Sequence, residues 1–274
     1  MSARALPFAA RPAFVGVVHL LPTPGAPDFG GRFEAVLERA EADARALVRG
    51  GVDALLVENF GDAPFFACAV PSETVAALAL ALRVVRGVAA DRAVGVNVLR
   101  NDARAALGLC AASGAAFVRV NVHTGVMVTD QGLIEGRAAE TLRERARLCP
   151  AIAILADVHV KHATPLGRET LVEAALDTRQ RGAADALILT GARTGSAPAR
   201  GDFLDVRERL GDCPLLIGSG LDEHDSQALL ALADGAIVGT ALKRGGRIGE
   251  PVEEARVARM RERFDAVRRR SSPP

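Results

Sequence analysis

Eight short apolar or β-branched runs, each followed by a segment with helical spacing, divide the 274 residues, and polar residues gather at the C-terminal ends of those runs. Hydrophobic strands alternating with helices build a parallel sheet with helices outside. Eight such units in about 270 residues is the number and length that closes a (β/α)8 barrel. The sequence therefore predicts an α/β fold, a single TIM-barrel domain over residues 1–274 with its core at about 14–270 and frayed termini. A doubly wound open sheet is the competitor, but no glycine-rich GxGxxG turn follows the first run to support it.

The first strand is placed at 14–20 (FVGVVHL), before a Pro/Gly-rich loop at 22–31. A helix follows at 34–49, with Val36, Ala40, Ala44 and Leu47 on one face and Gly50-Gly51 as its end. The second strand is 54–58 (ALLVE), with Ser72 as the cap of the next helix. The third is 94–99 (VGVNVL), with Asn101 or Asp102 capping a helix that runs to Ser113, and the fourth is 117–122 (FVRVNV). The insertion 126–134 (VMVTDQGLI) is too long for a simple turn and is expected to form a small flap before a helix at 136–148. The apolar run 152–155 opens the fifth strand, and a helix at 169–181 follows it. The sixth to eighth strands are 186–190 (ALILT), 215–217 and 236–239 (AIVG), with helices at 203–210, 225–232 and 252–269.

Composition narrows the function classes. A formal net charge of +1 with mixed signs lacks the concentrated basic face of a nucleic-acid binder. The dense basic run Arg268–Arg270 reads as a solvated tail. No stretch approaches the roughly 18 apolar residues of a membrane span, and no secretory signal is visible. The four cysteines form no CxxC pair and fit buried thiols in a reducing compartment. A cytoplasmic protein that pairs with itself through outer helices or loops is the expectation.

In a barrel, chemistry sits at the C-terminal ends of the strands. His19, Glu58, Asn59, Asn97, Arg119, Asn121, His123, Asp157, His159, Lys161 and Thr190 all fall there. The densest cluster is ADVHVKH at 156–162, where strand alternation sends Asp157, His159 and Lys161 to one face. Asp157, His159, Glu58, His19, Asn121 and Lys161 are the candidate catalytic residues. Histidine and carboxylates suit acid/base work. Lys161 suits either an anion contact or, if desolvated, a Schiff base. No cofactor is required by the sequence; a divalent metal held by Glu58, Asp157 and His159 is the alternative use of the same groups.

Gly218-Ser219-Gly220 and Gly239-Thr240 end the seventh and eighth strands, the recurrent phosphate position in barrels. Thr240 would add a hydroxyl and Lys243 a charge. Ser219 lacks the strand-turn-helix elbow of a serine nucleophile. Asn97, Arg119, His123, Thr190 and Thr194 complete the candidate substrate contacts, and His224 reads as helix capping or surface structure. The loop LPTPGAPDFGG and the flap are placed to close over a ligand.

The segments VGVVHLLPTPGAP, VENFGDAPF, GVNVLRND, RVNVHTG with DQGLIEG, LADVHVKHA, DALILTGARTG, LIGSGL and AIVGTALKRGG span Phe14 to Gly246. Together they resemble the BtpA/SgcQ family. The resemblance implies a TIM barrel of the phosphate-binding type. It implies two kinds of role: photosystem I biogenesis, from the family name, and nucleotide hydrolysis beside sugar-phosphate metabolism. The expected function is an enzyme acting on a small phosphorylated sugar or nucleotide by cleavage or transfer at a glycosidic (ribosyl) carbon, where an oxocarbenium-like transition state needs nearby carboxylates. Sugar-phosphate isomerisation or aldolase-type cleavage, a non-catalytic assembly or stability factor, and a metal-dependent hydrolase are the rivals.

Overall fold

The computed structural model describes residues 4–191, 197–218, 220–221 and 226–271. Eight parallel strands close a barrel: β1 (Ala13–His19), β2 (Ala54–Glu58), β3 (Ala93–Asn97), β4 (Phe117–Val120), β7 (Ala153–Val158), β9 (Ala186–Leu189), β10 (Leu215–Ile217) and β11 (Gly235–Val238). The ring order is β1-β11-β10-β9-β7-β4-β3-β2, each strand beside its chain neighbour in the barrel. The missing numbers belong to β5 (Val126–Thr129), β6 (Gly132–Glu135) and β8 (Ala163–Pro165), a three-stranded antiparallel sheet. The expected flap is thus a hairpin extended by a strand from the far side of β7.

Alternation along each strand separates two apolar layers. Ala13, Val15, Val17, Ala54, Leu56, Phe117, Ala153, Leu155, Ala186, Ile188, Leu216 and Ile237 fill the barrel interior. Their neighbours Phe14, Val18, Leu55, Val57, Val118, Ile154, Ala156 and Leu187 pack outward. The outer layer meets the helices α1 (Phe33–Gly50), α2 (Ser72–Ala89), α3 (Ala103–Ser113), α4 (Ala138–Leu148), α5 (Leu171–Leu176), α6 (Arg200–Leu210), α7 (Ser226–Leu230) and α8 (Glu254–Ser271). Interior packing is tight enough to dictate glycine on β3: a Cβ at Gly95 would lie 2.2 Å from the Phe117 ring.

The helix ends correct some local expectations. α1 does end at Gly51, whose φ of 94° lets its N–H reach the Leu47 and Val48 carbonyls. Asp102 caps α3 through the Ala105 N–H. Ser72 does not cap α2: Pro71 occupies that position, and the Ser72 hydroxyl turns to Glu73. The helix expected at 169–181 is α5, opened by a Thr170/Glu173 capping box and continued by a π turn over Asp177–Arg181.

Two described residues near the termini, Phe8 and Arg268, are held against the barrel. Phe8 is buried and meets Phe117 edge-on, centroids 5.9 Å apart, plugging the N-terminal end of the barrel. Arg268 lies within α8, not in a solvated tail; its Nη2 donates to the Pro12 carbonyl at 2.7 Å and pairs with Asp53.

Candidate active site

The barrel parity that buries Ala54 and Leu56 aims Glu58 upward into the mouth, and the same parity raises His19, Asn97 and Arg119. Register joins them: Glu58 lies opposite both His19 and Asn97. Arg119 binds two carboxylates at once. Its Nε and Nη2 each donate to Asp157 at 3.1 Å, and Nη1 donates to Glu58 at 3.1 Å. The Asn97 amide donates to the same Glu58 oxygen at 3.1 Å, and the Asn121 amide to Asp157 at 2.7 Å. Burying three charges costs several kcal/mol per ion unless each is paired and hydrogen-bonded, which this lattice accomplishes. Burial works against the Glu58 carboxylate, yet Arg119 and the Asn97 amide hold its pKa below the ordinary value. Burial likewise weakens Arg119, but Asp157 and Glu58 more than reverse this, and it stays firmly protonated.

His19 lies against the Phe60 ring, centroids 4.8 Å apart, with Nε2 3.6 Å from Glu58. Burial drives its pKa to about 3, with Glu58 opposing only in part, so the imidazole is neutral near pH 7. The His19 ring also explains Gly239: a Cβ there would lie 2.5 Å from Cε1. Gly218 leaves room for Ile188 and Thr190 in the same way.

The expected alternation over ADVHVKH fails after Asp157. His159 adopts φ 51° and His162 φ 57°, left-handed conformations that cost a non-glycine residue about 1–3 kcal/mol each. The chain therefore turns twice. His159 leaves the mouth for a small cavity between β7 and α5, near Glu169. Val160 packs with Val122, Met127 and Ile134 beneath the small sheet. Lys161 swings back into the mouth. Burial first, and Arg119 next, push its amine below the usual lysine range. Among the described residues, the Lys161 amine has no hydrogen-bond partner.

The mouth has two lobes that share Glu58, Phe60, Arg119 and Lys161 as a waist. One, of about 260 Å³, is bounded by Gly218, Gly220, Gly239, Thr240, Ala241 and Arg256. The other, of about 470 Å³, is bounded by Asn97, Arg100, Asn121, Asp130 and His162. Among the described residues, the lining cations are Arg100, Arg119, Lys161 and Arg256, against the carboxylates Glu58 and Asp130.

Several expected site residues lie elsewhere. The Asp157 carboxylate is completely enclosed beneath Arg119 and Asn121 and does not reach either lobe. His123 is buried outside the mouth, its Nε2 2.8 Å from the Gly182 carbonyl. The Thr190 hydroxyl donates to the His159 carbonyl at 3.3 Å. Lys243 does not serve the glycine turns: it pairs with Asp43 at 3.5 Å and donates to the Glu250 carbonyl at 3.1 Å. Asn59 and Asp62 lace the loops after β1, β2 and β3 together through Thr23 and Leu99. The metal set does not converge, because Arg119 bonds to both Glu58 and Asp157 and His159 points away. Among the described residues no group of three or more His, Cys, Asp or Glu is arranged to hold a metal ion. Thr194, Ser219 and His224 lie outside the described residues.

Two lining cations escaped the sequence reading. Arg100 follows β3 in NVLRND, where the sequence points to Asn97, the strand end and the helix cap but gives the arginine no role. Arg256 comes from α8, one arginine among many, and is held over the glycine lobe by its Nε bond to the Ala241 carbonyl at 2.7 Å. The chain has two lysines, so Lys161 is the one that the mouth can use.

Comparison with known proteins places this geometry in a lineage. The BtpA family model matches residues 10–266. Photosystem I biogenesis protein BtpA of Synechocystis sp. is 49% identical over 244 residues, 89% of this chain and 85% of that protein. An uncharacterized protein of Pyrococcus abyssi is 43% identical over 246 residues, 90% of this chain and 93% of its own length. Phosphoribosyl anthranilate isomerase of Thermus thermophilus superposes with a TM-score of 0.56 at 12% identity, covering 93% of this chain and 99% of that one, a likeness of fold. By a match that runs over nearly its whole length, the chain belongs to the BtpA family.

Proposed function

We propose that the chain is an enzyme acting on a small phosphorylated sugar, through proton transfer or carbon–carbon cleavage beside a carbonyl group, with Lys161 as the reactive amine. The observation that carries this reading is the division of labour around Arg119. Asp157 is enclosed and its oxygens are engaged, whereas Lys161, which follows the left-handed His159, lines the mouth and is left without a partner among the described residues. A desolvated amine of lowered pKa is the form that attacks a carbonyl or takes a proton.

Charge favours the same chemistry over glycosidic cleavage. An oxocarbenium-like centre needs free carboxylates, and here Arg119 neutralises much of the carboxylate charge. Among the described residues the lining is richer in cations than in carboxylates, which suits an enolate-like or carbanionic intermediate with its negative charge near Lys161 and Arg119. Glu58, ionised at the waist with one oxygen facing neutral His19, is the general base. Asp157 is a positioning residue that fixes Arg119 and Asn121. The phosphate belongs in the glycine lobe, where Gly218, Gly220 and Gly239 let backbone approach an anion and Arg256 and Thr240 add charge and a hydroxyl.

The test is a thermal-shift and turnover screen of aldose and ketose phosphates beside their unphosphorylated parents. Stabilisation follows occupancy of the native state. Phosphorylated compounds should raise Tm and their parents should not; Arg256→Gln should erase the difference. Equal response to both forms would contradict the phosphate assignment. A non-catalytic assembly role is the second reading, favoured by the name of the Synechocystis relative and by Val128, Leu133 and Leu166, apolar and exposed on the small sheet and its margin. Turnover of any compound in the screen, lost in Lys161→Met, decides for the enzyme.

A further inference from the structure

The larger lobe holds an arginine, Arg100, that has no part in the glycine-lobe phosphate contact or the Lys161 chemistry. Arg100 is 5% exposed, and among the described residues its guanidinium makes one hydrogen bond, Nη2 to the Lys161 carbonyl at 2.7 Å. Its Nε is buried without an acceptor. Asp157, Asp130 and Glu58 act on it only through their fields; none forms an ion pair with it. Asp157 and Glu58 are engaged by Arg119, and Asp130 accepts from the Gln131 amide.

Arg145 shows what a purely structural buried arginine looks like in this fold. It is 1% exposed, and its Nη1 meets Asp185 at 2.6 Å in a closed ion pair. Arg100 is buried nearly as deeply, yet among the described residues no carboxylate closes its fork, and it lines a cavity of about 470 Å³. A desolvated guanidinium with unpaired N–H groups is a costly arrangement, and one that an incoming anion relieves. Across the same lobe, Asn121 Oδ1 is likewise buried without a donor, an acceptor suited to a hydroxyl.

We infer that the larger lobe recognises a second anionic group, a carboxylate or a phosphate, at the end of the ligand opposite the phosphate in the glycine lobe. The substrate class is then a short polyhydroxy chain that is anionic at both ends. The guanidinium plane matches either oxyanion in bidentate fashion. Because Lys161 lines both lobes, a chain anchored at both ends carries its middle carbons past the amine. This inference rests on the phosphate assignment to the glycine lobe.

Titration calorimetry on the full chain tests it with three probes: glycerol 3-phosphate, 3-phosphoglycerate and a pentose 1,5-bisphosphate. At least one doubly anionic probe should bind about tenfold tighter than glycerol 3-phosphate, and comparing the two tells carboxylate from phosphate. Arg100→Gln should remove that preference and leave glycerol 3-phosphate within about threefold of wild type. Arg100→Lys, which keeps the charge without the fork, should retain part of it. Equal affinities in the wild type, or a preference that survives in a folded Arg100→Gln, overturn the inference. The wild-type comparison decides even if that variant fails to fold. Glycerol 3-phosphate binding without any preference removes the second site alone; no binding by any of the three probes removes the phosphate reading with it.

Discussion

Arg119 is the residue on which the mouth is built. Substitution by methionine leaves Glu58 and Asp157 buried together with no cation between them, and removing one partner of such a lattice costs about 3–5 kcal/mol. Chemical denaturation of Arg119→Met should show that loss, and Arg119→Met with Asp157→Asn and Glu58→Gln should recover part of it. A loss below about 1 kcal/mol would mean that the lattice contributes little. His19 makes a pH prediction. Its folded pKa, about 3, lies below the unfolded value near 6.5, so the unfolded chain binds the extra proton and stability is full above 6.5. It falls by up to about 1.4 kcal/mol per pH unit on acidification from 6.5 towards 3. Burial lowers His123 and His159 too, with the same sign, and Glu58 adds its own loss below its unfolded pKa of about 4.5. Between pH 6.5 and 4.5 a His19→Gln variant should therefore show a shallower decline than wild type. An identical slope would show that His19 titrates normally. Parity along a strand made Glu58, Asn97 and Arg119 readable from the sequence, because nothing interrupts β2, β3 or β4 before those residues. It misplaced His159, since nothing in VHVKH announces two left-handed residues. The enclosure of Asp157 was equally invisible, because it depends on Arg119 and Asn121 reaching across from another strand.

At the scale of elements, β3 and β4 interlock through a glycine and a ring. Gly95→Ala would set a methyl group 2.2 Å from Phe117, and overpacking of this kind costs about 1–3 kcal/mol. Adding Phe117→Leu should restore part of that stability, as measured by denaturant midpoint; additive losses would mean that the two do not share the space. The strand and helix order was legible because apolar runs and breakers recur eight times. Ser72 failed as a cap because Pro71, already extended, sits at the boundary. The small sheet was legible only as an excess of residues: its third strand, β8, comes from beyond β7 and no local pattern links it to the hairpin.

For the molecule as a whole, the barrel has a sealed end and a working end. Phe8 closes the N-terminal end over Phe117, and Phe8→Ala should cost about 3 kcal/mol by the usual loss of a buried phenylalanine, lowering Tm without altering ligand affinity at the opposite end. The barrel itself was predictable from eight units in one chain, whereas the two-lobed mouth was not: its waist depends on Lys161 returning after the left-handed turn at His159, and its lobes on arginines from a loop and from the last helix. Those features concentrate the account on one amine. The most direct test is to trap it with a phosphorylated aldehyde, such as pyridoxal 5′-phosphate, and borohydride, then map the product by peptide mass spectrometry. With two lysines in the chain and Lys243 buried against Asp43, the account predicts saturable modification at Lys161, slowed by sugar phosphates and weakened in Arg256→Gln. An unmodified Lys161, or labelling that phosphorylated competitors do not slow, would contradict it.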